Sequence, residues 1–308
     1  MQNSAVLKLT RLFTHLEGAY APNTLRAYNA DMCEFIAYCT PGELAALPAS
    51  PQTVAEFLLQ CATTGVKSST IRRKLASISA VHRLSGHTDP TKHPEVHIAM
   101  RKVHRQLGAR FEQAYPITRT ILDRMLCVCG DDLIGCRDRA LLLVAYDSMR
   151  RRQELVSFRV EDIKWNGAGE ASILLRRSKT DQVGRGSWCH LGGQASEALG
   201  MWLTRAKVSS DFVFRGIRLG GALTHSLGAG TVGRIYKKLA SRAKLDPQAV
   251  TRISGHSIRV GAAQDLLVKG ASLPQIMVRG GWAKTDTVIR YVERVRPWEA
   301  SGGNQLAV

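Results

Sequence analysis

A histidine and an arginine stand three residues apart near the carboxyl end of the sequence, where a helix is predicted to start. Ser254 and Gly255 precede this helix and Gly270 ends it, so His256 and Arg259 project from one face of its first turn. Together with backbone N–H groups and the positive end of the helix dipole, such a pair suits a phosphate oxygen. Taken alone, the same spacing is more often a capping or surface pair.

Five further residues have side chains that could take part in the same chemistry, and each also has an ordinary structural explanation. Arg151 precedes Glu154 by three residues on a predicted helix, where an exposed ion pair is the usual outcome. Lys179 stands at the tip of a predicted turn, and Trp282 and Tyr291 are residue types that usually pack in a core. The order arginine, lysine, His-x-x-Arg, tryptophan, tyrosine is far more specific than any one member.

The elements that must position these residues lie in two predicted domains, residues 1–112 and 113–308. In the first, apolar residues at helical spacing predict helices near 22–36, 54–61, 68–84 and 96–107. A linker is predicted across their boundary, over residues 108–116. The second domain contains an apolar helix over 137–146, two strands over 171–177 and 187–191 around a polar turn, and mainly helices from residue 199 onward. The sequence therefore predicts a mainly α fold with a small β-sheet.

Composition and charge indicate a globular protein with a polyanionic partner. The 308 residues are 44% hydrophobic and 22% charged, which argues against disorder, and no apolar run approaches the length of a membrane span. Lys and Arg number 43 against 25 Asp and Glu, a net charge of +18 that both halves of the chain share. Nucleic acid is the first candidate partner and an acidic membrane surface the second.

Two predicted helices of the first domain carry clusters of basic residues. A solvated face is the usual explanation for such clusters, but the net charge of the chain favours contact with DNA. The candidate DNA-binding residues are Arg72, Arg73, Lys74, Arg101, Lys102 and Arg105.

The seven cysteines indicate neither a disulfide framework nor a zinc site. Their number is odd and the N-terminus shows no signal peptide, so a reduced, intracellular protein is the simpler interpretation. Cys127 and Cys129 are separated by one residue, closer than the usual spacing of zinc ligands, and no second pair stands at a matching spacing. The glycine-rich stretch 216–233 lacks the spacing of a phosphate-binding loop.

The combined motifs resemble the tyrosine recombinase family of the lambda-integrase type, and specifically its Cre-like branch. The resemblance is carried by GHSIRVGAAQDLLVKGASLPQIMVRGGW followed by RYVERV, by AYDSMRRRQELVSFRVEDI and by the Ser178-Lys179-Thr180 turn. It continues through YAPNTLRAY and SSTIRRKLASISAVHRLSG, and so covers the chain from about residue 20 to 296. The fold that it implies is a helical DNA-binding domain followed by a tyrosine-recombinase catalytic domain.

The resemblance also implies catalytic roles for the residues described above. Tyr291 would be the nucleophile that attacks the scissile phosphate. Arg151 and Arg259 would bind its non-bridging oxygens, and His256 would assist in proton handling or phosphate binding. A phenol is mostly protonated at neutral pH, and nearby cations favour its ionised form.

Three further positions have counterparts in the family pattern. Trp282 would donate an indole hydrogen bond and pack beneath the tyrosine, and Lys179 would donate a proton to the leaving 5′ oxygen. Glu154 occupies an acidic support position. Within the triplet 150–152, Arg151 has the family's three-residue offset to Glu154, so we select it over its neighbours.

The implied function is site-specific recombination through a covalent 3′-phosphotyrosyl intermediate, with no metal and no other cofactor. The implied partners are double-stranded DNA with inverted-repeat sites and three further copies of the chain in a synaptic tetramer, with each protomer forming a C-shaped clamp. The segment after Tyr291 is short, so its mode of docking stays open. A type IB topoisomerase-like activity and a non-catalytic DNA-binding protein are the alternatives.

Overall fold

The chain forms two compact units, Met1–Glu112 and Gln113–Val308. The computed structural model describes residues 2–108, 113–167, 169–178, 181, 183–293 and 295, with side chains from residue 6 onward.

The N-terminal unit is helical throughout its described part. Proline occupies a first-turn position in three of its helices, where its missing N–H costs no hydrogen bond. Ser50 caps one of them by accepting a hydrogen bond from the Thr53 N–H at 3.1 Å. The helices are α1 (Gln2–Leu16), α2 (Pro22–Cys39), α3 (Pro51–Thr63), α4 (Ser68–Leu84) and α5 (Pro94–Leu107), with a short 3₁₀ turn at Pro90–Lys92.

The core of this unit is built from the apolar faces of these helices. Met32 and Phe35 of α2 are fully buried, as are Leu58 of α3, Ile78 of α4 and Val103 of α5. These residues follow the helical spacing from which α2 to α5 were predicted, so that expectation is confirmed. The helix α1 was not predicted.

The C-terminal unit combines helices with one small sheet. Its elements in chain order are α6 (Arg119–Cys127), α7 (Leu133–Ser148), α8 (Arg152–Leu155), β1 (Ile163–Trp165), β2 (Ala171–Leu175), β3 (Ser187–Leu191), α9 (Gly193–Arg205), α10 (Ala229–Arg242), α11 (Pro247–Arg252), α12 (Ser257–Val268), α13 (Leu273–Gly280) and α14 (Thr285–Val292). The predicted mainly α fold with a small sheet is confirmed.

The sheet is antiparallel, with the strand order β1-β2-β3. Ile173 pairs with Ile163 on one side and with Cys189 on the other. Alternate residues of β2 are buried, as the two-residue period of a half-covered strand requires. The sequence predicted β2 and β3 but missed β1, which has only three residues.

Helix α7 lies in the centre of this unit's main core, and most of its residues are buried. A second, smaller apolar cluster joins the end of α7 to the last three helices through Met149, Ala263, Ile276, Trp282 and Val288. This second cluster holds the elements that carry the candidate catalytic residues.

Candidate active site

Arg151 is held by a carboxylate at the point where α7 has ended and α8 begins. Met149 adopts a left-handed conformation with φ 51°, which turns the chain away from the α7 axis. Glu154 is buried and accepts two hydrogen bonds from Arg151, one from its backbone N–H at 3.0 Å and one from Nη1 at 2.8 Å. The Arg151 side chain keeps 23% of its surface exposed. The carboxylate therefore fixes a guanidinium that solvent can still reach.

Helix α12 places His256 and Arg259 close to Arg151. His256 is the residue that immediately precedes α12, and Arg259 lies in the helix's first turn. Arg259 is only 2% exposed, and its Nη1 donates a short hydrogen bond to the Met149 carbonyl oxygen. This bond joins the start of α12 to the end of α7, and so places Arg259 beside the Arg151 segment.

Burial and neighbouring charges shift the pKa values of both α12 residues. Desolvation and the positive charges of Arg259, Arg152 and Arg151 lower the pKa of His256. Burial, followed by the charge of Arg151, lowers the pKa of Arg259 to about 9. At neutral pH the histidine is therefore mainly neutral and the arginine charged.

The Trp282 indole packs against the guanidinium of Arg259. The Arg259 Cζ atom lies 3.9 Å from the centroid of the indole, and the indole is 6% exposed. The two glycines before the tryptophan are required by this packing. A Cβ atom on Gly280 would lie 1.9 Å from the indole, and Gly281 ends α13 in a left-handed conformation with φ 64°.

Tyr291, which lies on α14, contacts Trp282. Its ring meets the Trp282 indole edge-on, with ring centroids 5.6 Å apart. Its backbone carbonyl oxygen accepts a hydrogen bond from Gln264 Nε2 at 2.9 Å, which ties α14 to α12. Arg259, Trp282 and Tyr291 are therefore in successive contact, and the phenol is not remote from the guanidinium. Gln264 was not singled out from the sequence, since a helical glutamine carries no such signal.

Two buried hydrogen-bond donors of this site have no acceptor. Among the described residues, Arg259 Nη2 and Trp282 Nε1 are buried without a hydrogen-bond partner. Such unpaired donors are rare in folded proteins and unfavourable by about 1–3 kcal/mol each. Together with the charge of Arg151, they form a place suited to an anion with several acceptor oxygens. We call Arg151, His256, Arg259 and Trp282 the phosphate-binding cluster.

Lys179 lies outside the described residues, so the structure gives no position for it. In the sequence it falls between β2 and β3. The nearest described residues on its two sides, Ser178 and Asp181, form a backbone hydrogen bond of 3.1 Å from the serine N–H. The carboxylate of Asp181 accepts backbone hydrogen bonds from Gly184, Arg185 and Gly186. The predicted role of Lys179 therefore stays a prediction.

The basic residues selected in α4 and α5 differ in their surroundings. Arg72 is exposed, while the 47% exposed Arg73 donates to the buried carboxylate of Asp31 at 2.7 Å. Lys74 is only 2% exposed and forms a short ion pair with Glu34, so its position does not suit contact with DNA. The sequence could not show this, because all three stand in one basic run. In α5 all three candidates, Arg101, Lys102 and Arg105, are exposed.

The structure adds no sign of a metal site. Within the described residues, no group of three or more histidines, cysteines and carboxylates is arranged to hold a metal ion. The seven cysteines are free thiols, with Cys127 exposed and Cys129 buried. Among the described helices, none is both long and apolar enough to cross a membrane.

Comparison with known proteins identifies the family. Residues 117–296 match the phage integrase family, and residues 10–85 match the N-terminal SAM-like domain of phage integrases. The chain is 29% identical to recombinase Cre of Escherichia phage P1, over 90% of this chain and 85% of the relative. It is 30% identical to an integrase/recombinase XerD homologue of Selenomonas ruminantium, over 94% and 87%.

A solved structure shows the same fold. The XerH site-specific recombinase, bound to its palindromic difH substrate in a post-cleavage complex, superposes with a TM-score of 0.66 at 17% identity. The match covers 89% of this chain and 77% of that one. The chain belongs to the phage integrase family and is a tyrosine recombinase of the lambda-integrase type. It is a DNA strand-transfer enzyme that recombines DNA site-specifically through a covalent phosphotyrosine intermediate.

Proposed function

We propose that Tyr291 is the nucleophile of this recombinase and that the phosphate-binding cluster holds the scissile phosphate beside it. The observation that carries the proposal is a pair of buried donors, Arg259 Nη2 and Trp282 Nε1, that have no acceptor in the described part of the chain. Trp282 contacts both Arg259 and the Tyr291 ring. A phosphodiester offers the acceptor oxygens and the negative charge that such donors lack.

The main barrier to the reaction is electrostatic repulsion, which the phosphate-binding cluster reduces. A phosphodiester is already negative and repels an incoming phenolate, and further charge develops on its oxygens in the transition state. Arg151 and Arg259 offset this charge, and Trp282 donates a hydrogen bond from a fixed position. Because Glu154 holds Arg151 by two hydrogen bonds, the guanidinium needs little reorganisation when DNA binds.

Proton transfer is assigned to His256 and Lys179. The Tyr291 oxygen forms a bond to phosphorus while the bond from phosphorus to the 5′ oxygen breaks. His256, neutral above its lowered pKa, accepts the phenol proton or donates a hydrogen bond to the phosphate. Lys179 gives its proton to the leaving 5′ oxygen. In the rejoining step the 5′ hydroxyl attacks the phosphotyrosine, and the protons return.

The reaction is proposed to need neither a metal ion nor ATP. Two guanidiniums and two hydrogen-bond donors supply the positive potential that a metal would otherwise provide. The phosphotyrosine bond conserves the energy of the broken phosphodiester, so rejoining requires no separate energy source.

The N-terminal unit is proposed to bind the duplex through the exposed faces of α4 and α5, with Arg72, Arg73, Arg101, Lys102 and Arg105 at the phosphates. Support comes from the exposure of these residues and the positive charge of the chain. The proposed substrate is double-stranded DNA with inverted-repeat sites, joined in a complex of four protomers.

Substitution of Tyr291 by phenylalanine tests the proposal. The variant keeps the ring packed on Trp282 but lacks the nucleophilic oxygen. On a nicked suicide duplex at saturating protein, wild type should form a denaturant-stable protein–DNA adduct, while Tyr291→Phe binds the DNA equally well and forms none. An adduct of undiminished yield with the variant would refute the assignment, and no adduct with wild type would refute the proposed chemistry.

A further inference from the structure

Arg150 is buried, although the next two arginines of the triplet reach the surface. It is 7% exposed, whereas Arg151 is partly exposed and Arg152 exposed. Its Nε donates to the Cys189 sulfur on β3 at 3.0 Å, and its Nη2 donates to the Arg279 carbonyl oxygen on α13 at 3.4 Å. One side chain from the segment after α7 therefore joins the sheet to the end of α13.

The segment of α13 that Arg150 contacts leads directly into the phosphate-binding cluster. A Cβ atom on Gly281 would lie 2.4 Å from Arg150 Nη1, so the guanidinium packs tightly against the left-handed turn. Trp282 is the next residue, and it contacts both Arg259 and Tyr291. The position of the indole therefore depends on the support that Arg150 gives to this turn.

The charge of Arg150 is also unusual for a buried side chain. Among the described residues, no ion pair between Arg150 and a carboxylate is found, and its hydrogen-bond acceptors are a thiol and a carbonyl oxygen. Burial of an uncompensated cation is unfavourable to folding. Arg137 provides a contrast, since it is equally buried but donates twice to Asp138.

The uncompensated charge is close enough to act on the active site. Burial, then the charge of Arg151 and, to a smaller extent, that of Arg150 lower the pKa of Arg259. The positive potential that disfavours a second cation at this place favours a phosphate there.

We infer that Arg150 is a positioning residue for strand cleavage, which fixes the Trp282 turn against β3 and adds an uncompensated positive charge beside the phosphate-binding cluster. This inference rests on the function proposed above. It concerns a residue outside the set that was selected from the sequence.

The test compares Arg150→Met with Arg137→Met as the matched control. For Arg150→Met, adduct formation in a single turnover at saturating DNA should slow by roughly 10- to 100-fold, as for other residues that orient a site indirectly. The Kd for DNA and the Tm of the free protein should stay near those of wild type. Arg137→Met should show the opposite pattern, a lower Tm because Asp138 loses its partner and an unchanged rate below that Tm.

Cys189→Ala is a second and milder variant, which removes one hydrogen-bond acceptor of Arg150. If Arg150→Met does not fold, this variant tests the positioning role of Arg150. It should slow adduct formation about two- to tenfold, the equivalent of one hydrogen bond. In the double variant the two effects should not add, because both substitutions break the same link.

Two results would overturn this inference and leave the proposed function intact. The first is a wild-type rate of adduct formation in both Arg150→Met and Cys189→Ala. The second is a rate loss in Arg150→Met that is fully explained by a lower Tm. If wild type forms no adduct, the proposed function and this inference fail together.

Discussion

At the scale of single residues, the candidate active site combines firmly held groups with donors that have no partner within the described ranges of the chain. Glu154 fixes Arg151, and the Met149 carbonyl fixes one side of Arg259. The Nη2 atom of Arg259 and the indole N–H of Trp282 are buried with no acceptor among residues that the structure describes. In the proposed mechanism, the free energy lost by leaving these donors unpaired in the free protein is recovered when the scissile phosphate binds.

The substitution Trp282→Phe tests the contribution of the indole N–H apart from that of the aromatic ring. It keeps an aromatic ring beneath Arg259 and removes an N–H for which the described residues provide no acceptor. The rate of adduct formation should therefore fall by roughly 10²-fold, the usual effect of losing one preorganised donor. The free energy of unfolding should change by no more than about 2 kcal/mol.

The matched control is Trp188→Phe, since Trp188 is 48% exposed on β3 and contacts Lys164 rather than the cluster. Single-turnover cleavage and denaturant unfolding measure the two effects. A Trp282→Phe enzyme as fast as the control would show that the indole N–H takes no part in the reaction.

At the scale of elements, the active site depends on where α7 ends and where α12 to α14 begin and end. The left-handed residue Met149 ends α7 and offers its carbonyl oxygen to Arg259 of α12. The Gly280-Gly281 end of α13 leaves space for the Trp282 indole. The site is thus built from helix ends that the apolar core holds together.

Much of this arrangement could be predicted from the sequence, because the signals are local. Apolar spacing predicted α2 to α5, and the segments 171–177 and 187–191 on the two sides of a polar turn predicted β2 and β3. The helix α3 begins at Pro51, three residues before the predicted start near residue 54, because proline is tolerated in the first turn of a helix. The strand β1 was missed because three residues are too few to show a period.

Contacts distant in sequence could not be predicted. The burial of Lys74 depends on Glu34 of α2, which is 40 positions away, and the link from Arg150 to Cys189 spans 39 positions. A basic run looks the same in the sequence whether its members face solvent or a carboxylate. Only the resemblance to a family gathered the catalytic candidates, and it provided no signal for Arg150.

A buried histidine makes the stability of the N-terminal unit dependent on pH. His82 of α4 is 0% exposed, accepts from the Ala49 N–H through Nε2 at 2.9 Å, and contacts the Ile78 carbonyl oxygen through Nδ1 at 2.8 Å. Burial lowers its pKa below 6.5. The unfolded chain therefore binds the proton more tightly, so stability is full above about pH 6.5 and declines as pH falls towards the folded-state pKa.

Hydrogen exchange of the amides in α4, measured from pH 7.5 to pH 5 and corrected for the intrinsic rates, should show this loss of protection. In His82→Gln, which cannot be protonated, the part of the decline due to this residue should be absent. Identical pH profiles for the two proteins would contradict the argument.

At the scale of the whole molecule, positive charge and family resemblance extend over both units. The family matches cover residues 10–85 and 117–296, and the net charge of +18 is distributed over both halves of the chain. Binding to DNA should therefore draw on many phosphate contacts, and its affinity should fall steeply with salt concentration.

Two substitutions in the same turn of α4, Arg72→Ala and Lys74→Met, should change different properties: the salt dependence of DNA binding and the Tm, respectively. Loss of the exposed Arg72 should reduce the slope of log Kd against log salt by about one and leave the Tm unchanged. Loss of the buried Lys74 should leave the slope unchanged and alter the Tm, because it removes the partner of Glu34. Fluorescence anisotropy with a labelled duplex and thermal melting measure both. A reduced slope for Lys74→Met would show that this lysine does reach the DNA.

The central claim, that the Tyr291 oxygen becomes joined to cleaved DNA, is tested most directly by locating the linkage. The trapped wild-type adduct can be digested with nuclease and protease and its peptides sequenced by mass spectrometry. The account predicts that a nucleotide 3′-phosphate is attached to Tyr291 and that Arg150→Met gives the same peptide in lower yield. Attachment to any other residue would contradict the account.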